Sequence, residues 1–468
     1  MTTRRIAVRA AWVLGEREGQ QRLLPDHTVV VEGDRIADVT REPVAGAELI
    51  DVPGGIVVPG MINLHNHTLN APLFRGIVDD LPRSATGPSK VYTILMPMGG
   101  MAVTELAPDE LADLVALGLL EVAKSGATTL VDQFRPAQSC ILDLARDMGL
   151  RFYGAPYMFS PPDAKTDAKI LGSSKGSGEG QESFKAFHAL FKQHHQGKDG
   201  RIQVILGPHA SDSCGPEIFK EVDRLSRELG ILATTHLAQS QAEVDAVKQR
   251  YGTDCTGYMQ SCGLLRDGVI FAHGVFLTDD EIDRIAKAGA AIANCANVFL
   301  RGGRAAAYER FAARGAKVGL GTDAERMDFI AQMRTSGFVS KQLTGRGDAA
   351  PAAKLVKAAT RDGADILGRS DLGRLVKGAK ADLVAVDLMQ PSIQPVRDPL
   401  RSLVWYASAR DISAVMIDGK LVVRDGKYAL GDERRIVERG ARATRKIWEL
   451  AASKGNMPRE LMPEAIGQ

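Results

Sequence analysis

Between residues 61 and 322 the sequence repeats one texture eight times, a short apolar run followed in most cases by an amphipathic stretch. The runs fall at 61–66, 127–132, 151–157, 202–207, 231–236, 269–273, 290–295 and 317–322. Runs of this length between turn residues read as buried parallel strands. "DELADLVALGLLEVAKSG" and "PEIFKEVDRLSRELG" carry apolar residues at helical spacing. Eight strand-then-helix units predict an α/β fold, a (β/α)8 TIM-like barrel. The two ends of the chain differ from this middle. "RRIAVRAAWVL", "HTVVVEGDRIADV" and "GGIVVPG" near the start, and "KADLVAVDL" and "ISAVMIDGKLVVRDGKY" near the end, are β-type runs joined by Gly-Asp and Asp-Gly turns. They predict a small β-sandwich built from both termini. The expected division is 1–58 and 371–430 for the sandwich, 59–370 for the barrel and 431–468 for a helical tail.

The 468 residues suit one large domain with a satellite. Lys and Arg total 59 against 57 for Asp and Glu, a net charge of +2, which gives no basis for binding nucleic acid or a membrane surface. The locally basic runs "RRIAVRA" and "ERRIVERGARATRK" read as solvated faces. The start lacks a signal-peptide apolar region, and no segment is apolar for about 18 residues, so a cytoplasmic protein is expected. Cys140, Cys214, Cys255, Cys262 and Cys295 are odd in number and form no C-x-x-C, which reads as reduced thiols. "SSKGSGEGQ" is expected to be a mobile surface loop, part of a lid over the barrel mouth. The three methionines of "ILMPMGGM" read as core packing, or else as an adaptable apolar substrate pocket.

Catalytic groups in such a barrel sit at the C-terminal ends of the strands. His65, Asn66 and His67 end the first run, His209 the fourth, His236 the fifth, His273 the sixth and Asp323 the eighth. Five of the nine histidines therefore fall at strand ends, while His27, His188, His194 and His195 are expected in loops or on helix faces. Residues i and i+2 of a strand point the same way, so His65 and His67 aim at one point. Imidazoles with a carboxylate suit a divalent transition metal, Zn²⁺, Fe²⁺, Co²⁺ or Mn²⁺, rather than Ca²⁺ or Mg²⁺. A water on such an ion has a pKa near 7, and the resulting hydroxide is the expected nucleophile. Asp323 would bind the ion and take the proton, and His273 would orient the water and stabilise the oxyanion.

"VVPGMINLHNH", "LFRGIVDDLP", "GPHASDSC", "VDAVKQRYGTDCTGYMQSCGLL" and "GADILGRSDLGRLVKGAKADLVAVDL" resemble the metal-dependent amidohydrolase superfamily. More narrowly, they are similar to its branch of triazine hydrolases and guanine, cytosine and adenosylhomocysteine deaminases. The resemblance implies one metal per chain, zinc foremost, held by His65, His67, His236 and Asp323. It places His273 against the metal-bound water and His209 against a small-molecule substrate. No lysine ends the fourth strand, so a bridging second metal is not expected. A homodimer or homotetramer is the expected assembly.

Three stretches depart from that pattern. Where the deaminases carry a proton-shuttling glutamate after the strand-five histidine, the sequence has Gln239 in "HLAQ". An amide hydrogen-bonds but moves no proton, and general acid–base help is worth about 10²–10⁴-fold. After "DDLP" the expected tryptophan-containing segment is replaced by "RSATGPSKVYTILMPMGG". On the seventh strand, "ANCANVFLRGG" puts Asn294 where a histidine is usual. With the acid gone, the sequence favours hydrolysis of an amide-like carbon (amide, urea, carbamate or thiocarbamate), as in related phenylurea and thiocarbamate hydrolases. Gln239 would serve the reaction by holding the carbonyl oxygen or N–H, and Asn294 would contact the substrate. The alternative is deamination or dechlorination of an N-heterocycle such as a nucleobase, pterin or triazine. A third reading is an inactive binding relative.

Overall fold

The computed structural model describes residues 5–77, 91–159, 180–197 and 200–455. The first four strands are β1 (Arg5–Arg17), β2 (Gln20–Glu32), β3 (Arg35–Thr40) and β4 (Glu48–Pro59). The middle of the chain supplies β5 (Met61–Asn66), β6 (Ala127–Phe134), β7 (Arg151–Met158), β8 (Ile202–Val204), β9 (Gly207–Pro208), β10 (Ala233–Leu237), β11 (Val269–His273), β12 (Ala291–Asn294) and β13 (Lys317–Leu320). The last four are β14 (Leu383–Val386), β15 (Ile412–Ile417), β16 (Lys420–Arg424) and β17 (Lys427–Tyr428).

The strands from the two ends join in one eight-stranded sheet, in the order β17-β16-β15-β14-β4-β1-β2-β3. The seam is the antiparallel pair β14–β4, so the chain closes on itself there. The sheet curls: β3 meets the 378–381 segment through Ile36 N to Ala379 O at 2.9 Å. Val8, Val29, Val31, Ile36, Leu383 and Met416 fill the small core it wraps. This is the sandwich expected from both termini. The Asp-Gly turn between β15 and β16 has positive φ at Asp418 (48°) and Gly419 (71°), as a two-residue hairpin requires. His27 lies within β2 rather than in a loop.

The middle strands run parallel in the order β10-β11-β12-β13-β5-β6-β7-β8, with β9 beside β7. The expected fourth barrel strand breaks into β8 and β9 because the chain between them bonds to both neighbours. Ile205 N donates to Gly154 O (2.9 Å), and Leu206 N to Leu232 O (3.1 Å). That crossing closes the barrel against β10. Strand side chains alternate between two cores. Phe152, Leu130 and Phe271 join the large cluster shared with the helices, while Tyr153, Val131 and Ile270 join a smaller one with Ile62, Leu64 and Leu372. Met98 and Met101 pack into the large core. The expected lid over 173–181 lies almost wholly outside the described residues.

A buried ion cluster ties barrel to sandwich. Arg151, at the start of β7 and fully buried, donates from Nε and Nη2 to Asp382 (3.0 and 3.1 Å) and from Nη2 to Asp418. Removing the guanidinium leaves buried Asp382 without its cation, while Asp418 keeps Lys380 and Arg201, each at 3.5 Å. Arg151→Met is expected to cost about 3–5 kcal/mol of stability, read as a lower urea midpoint. An unchanged midpoint would contradict this role.

Candidate metal centre

His65 in β5, His67 just beyond it, His236 in β10 and His273 at the end of β11 converge with Asp323, which follows β13. His67 Nε2 lies 3.2 Å from His236 Nε2 and 3.2 Å from Asp323 Oδ1. His65 Nε2 is 3.7 Å from Asp323 Oδ1, and His273 Nε2 is 4.0 Å from Oδ2. The strand ends meet through their backbones: Asp323 N donates to His65 O (3.0 Å), and His67 N to Asp323 O (3.2 Å). Asn63 locks β5 to the same turn, its Nδ2 donating to Thr322 Oγ1 (2.7 Å) while its Oδ1 accepts from Thr322 N (3.1 Å). His273 (φ 81°) and Asp323 (φ 62°) adopt the left-handed backbone that non-glycine residues rarely take, and at Asp323 these bonds hold the strain.

The imidazoles are fixed from behind. His67 Nδ1 bonds the Gln133 carbonyl at 2.9 Å, and His236 Nδ1 bonds the His209 carbonyl at 2.6 Å. An Nδ1 that donates leaves the lone pair on Nε2. Two such lone pairs 3.2 Å apart repel unless a cation lies between them. Both ring nitrogens of buried His65 lack a hydrogen-bond partner among the described residues. Burial lowers the pKa of His67 to about 4 and of His236 to about 3, and drives those of His65, His209 and His273 well down. The rings are therefore neutral and able to ligate at pH 7. Burial, then the charge of Glu325, raises the Asp323 carboxyl to about 8, a cost that a bound cation would remove. The donor set fits one divalent transition ion on His65, His67, His236 and Asp323. Cys295 also lies close to His65 and His273, but burial, then Asp323, keeps its thiol protonated and a poor ligand.

The remaining expected residues divide. His209 is buried, its Nδ1 2.7 Å from Ser213 Oγ, with its ring beside His236, Tyr157 and Phe159. Its carbonyl orients His236, a task the sequence reading missed. Gln239 sits partly exposed at the rim, and its side-chain amide has no hydrogen-bond partner among the described residues. Asn294 differs from expectation. Its Nδ2 donates to Ala306 O (2.9 Å) and its Oδ1 accepts from Ser336 Oγ (2.9 Å), so both polar ends are engaged within the protein and not turned to a substrate.

Two buried carboxylates also escaped the sequence reading. Asp132 in β6 accepts from Thr68 N (2.7 Å), Thr68 Oγ1 and Asn66 Nδ2 (2.8 Å), pinning the His65–His67 turn. Burial raises it to about 7. Its place near the end of a predicted strand was the available signal. Glu243 accepts from Ala238 N (3.0 Å), Gln239 N (2.8 Å) and Ser211 Oγ, holding the loop after His236. The spacing Ser240-x-x-Glu243 marks a helix start, with Ser240 capping Glu243 N.

Comparison with known proteins places the chain among relatives of the same overall fold. The chain is 29% identical over 441 residues to a 5-methylthioadenosine/S-adenosylhomocysteine deaminase of Bacillus cereus strain AH820, covering 92% of this chain and 96% of the relative. A protein of the same description from strain B4264 is 30% identical over 444 residues, with the same coverage. An adenosine deaminase structure from Xanthomonas campestris with bound zinc superposes with a TM-score of 0.81 at 23% identity, over 95% of this chain and 98% of that one. The zinc complex of atrazine chlorohydrolase from Arthrobacter aurescens TC1 gives 0.80 at 24% identity, over 94% and 100%. The sequence pattern of the amidohydrolase family matches residues 56–422, and the chain belongs to that family.

Proposed function

We propose that the chain is a metal-dependent aminohydrolase that replaces an amino group on a small N-heterocycle with oxygen, releasing ammonia. The observation that carries this reading is the convergence of His65, His67, His236 and Asp323 in a chain whose relatives across 92% of its length are described as deaminases. It reverses the preference that Gln239 alone suggested.

A divalent transition ion, zinc first, would supply Lewis acidity and lower the pKa of a water at the site. The protein's own groups do the rest. His67 and His236 are held by backbone carbonyls so that they need no reorganisation. Asp323, whose two carboxylate oxygens face His67 and His273, would take a proton and pass it toward the leaving nitrogen. His273, 4.0 Å from Asp323 Oδ2, would steady charge that develops on the attacked carbon's oxygen. Gln239 hydrogen-bonds the ring but donates no proton to it in exchange. A second reading, cleavage of an amide-like C–N or C–S bond, is favoured by that same residue, since such a carbonyl depends less on ring protonation.

Three measurements test the proposal. His65→Ala and Asp323→Asn are expected to drop metal content from about one ion per chain to a small fraction of it, measured by plasma mass spectrometry on folded protein. Full occupancy in either variant would overturn the ligand set. Zinc-loaded wild type given aminated pyrimidines, purines, pterins and triazines is expected to release ammonia, with the ring product identified by mass spectrometry. Free amine or thiol from aryl ureas, anilides or thiocarbamates, with no ammonia from the heterocycles, would establish the second reading instead. Gln239→Glu is expected to raise kcat on a ring amine by about tenfold or more, and unchanged or lower kcat would contradict the role given to this position.

A further inference from the structure

Two of the ligands sit on turns rather than within strands. His67 lies just beyond β5, and Asp323 lies beyond β13. One helix, Pro108–Lys124, reaches both turns. Gly118 faces Thr68, the residue after His67. A Cβ at Gly118 would come within 2.1 Å of the Thr68 carbonyl oxygen, so the helix backbone itself lies against that turn. Glu121 is one helical turn further on and shares that face. Its Oε1 accepts from Met327 N at 3.0 Å, and its Oε2 accepts from Arg75 Nη2. Met327 belongs to the segment after Asp323, and its Sδ lies 3.2 Å from the hydroxyl of Thr322, the residue before Asp323. Arg75 follows the short helix Asn70–Phe74, whose Asn70 and Ala71 N–H groups both bond the His67 carbonyl (3.0 and 3.2 Å). Glu121 is thus tied on one side to the segment after Asp323 and on the other to the segment after His67.

The helix that carries Glu121 is itself held from outside. The C-terminal helix Glu433–Ser453 runs antiparallel along it, pairing Glu433 with Lys124, Arg439 with Asp113 (2.8 Å) and Lys446 with Glu110 (2.6 Å). A Cβ at Gly440 would meet Leu117 Cβ at 2.5 Å, so a glycine is what lets the two helices approach this closely. Trp448 Nε1 donates to the Leu73 carbonyl at 2.8 Å, fastening the short helix as well. Ligand turns free to move apart lose metal affinity, because each must be reordered when the ion binds. One carboxylate bonded to both turns removes that freedom. We infer that Glu121 is a positioning residue for the metal centre, fixing the spacing of His67 and Asp323 through the segments that follow them. The inference rests on the ligand set proposed above and not on the reaction catalysed there.

The test is the zinc affinity of the full-length protein, measured by competition with a chelator. The visible spectrum of the Co²⁺-loaded protein reports ligand geometry alongside it. In Glu121→Ala the zinc dissociation constant is expected to rise about tenfold or more, with a shift or loss of intensity in the Co²⁺ bands. Arg75→Met, which frees only the His67 side, should show a smaller change in the same direction. Arg151→Met, which loosens the opposite end of the strands, should match wild type in both readouts, and so tells general destabilisation apart from lost positioning. Wild-type affinity and bands in folded Glu121→Ala, or equal weakening in Arg151→Met, would overturn the inference. If Glu121→Ala does not fold, unchanged affinity in Arg75→Met overturns it. Zinc bound by His65→Ala as tightly as by wild type would sink the ligand set itself, whereas zinc lost there and kept in Glu121→Ala sinks the positioning role alone.

Discussion

Five imidazoles packed into one buried cluster must be kept neutral and pointed, and the rest of the barrel mouth serves that constraint. Burial, and after it the charge of neighbouring groups, drives their pKa values far below the ordinary histidine range. Neutrality removes charge repulsion, but it leaves lone pairs facing one another. Backbone carbonyls behind His67 and His236 fix which nitrogen carries the proton, and so which carries the lone pair. A cation is the partner that such a set of lone pairs and the Asp323 carboxylate lack.

The supports are arranged by strand. Asn63 and Thr322 clamp β5 to the segment after β13, so that His65, His67 and Asp323 arrive together. Asp132 reaches from β6 to the turn that carries His67. Glu243 holds the loop after β10 from below. The positive-φ backbone at Asp323 is held by its paired backbone bonds to His65 and His67. At the other end of the strands, Arg151 binds Asp382 and Asp418 and joins barrel to sandwich. Chemistry and domain attachment therefore occupy opposite ends of the same strands, as expected for this barrel.

Much of this was legible in the sequence because the strand period is short and the barrel places polar groups at one end. The runs at 269–273 and 61–66 coincide with β11 and β5, and the clustered histidines sit where those runs stop. The fourth strand was misread as continuous because local pattern does not reveal that Ile205 and Leu206 bond to different neighbours. Asn294 was misread because its place on the seventh strand says nothing of Ser336, forty-two residues away, which engages it. Asp132 lay one strand over from any histidine, and its meaning depends on meeting Asn66 and Thr68 at the end of the adjacent strand, which is a property of register rather than of composition.

The account stands on the ligand set, and the most direct measurement of it is the X-ray absorption spectrum of the zinc-loaded protein. Three imidazoles with a carboxylate predict nitrogen and oxygen scatterers near 2.0–2.2 Å, with the outer-ring signature of histidine. A sulfur scatterer near 2.3 Å would instead put the ion on Cys295 with His65 and His273, and would contradict the central claim.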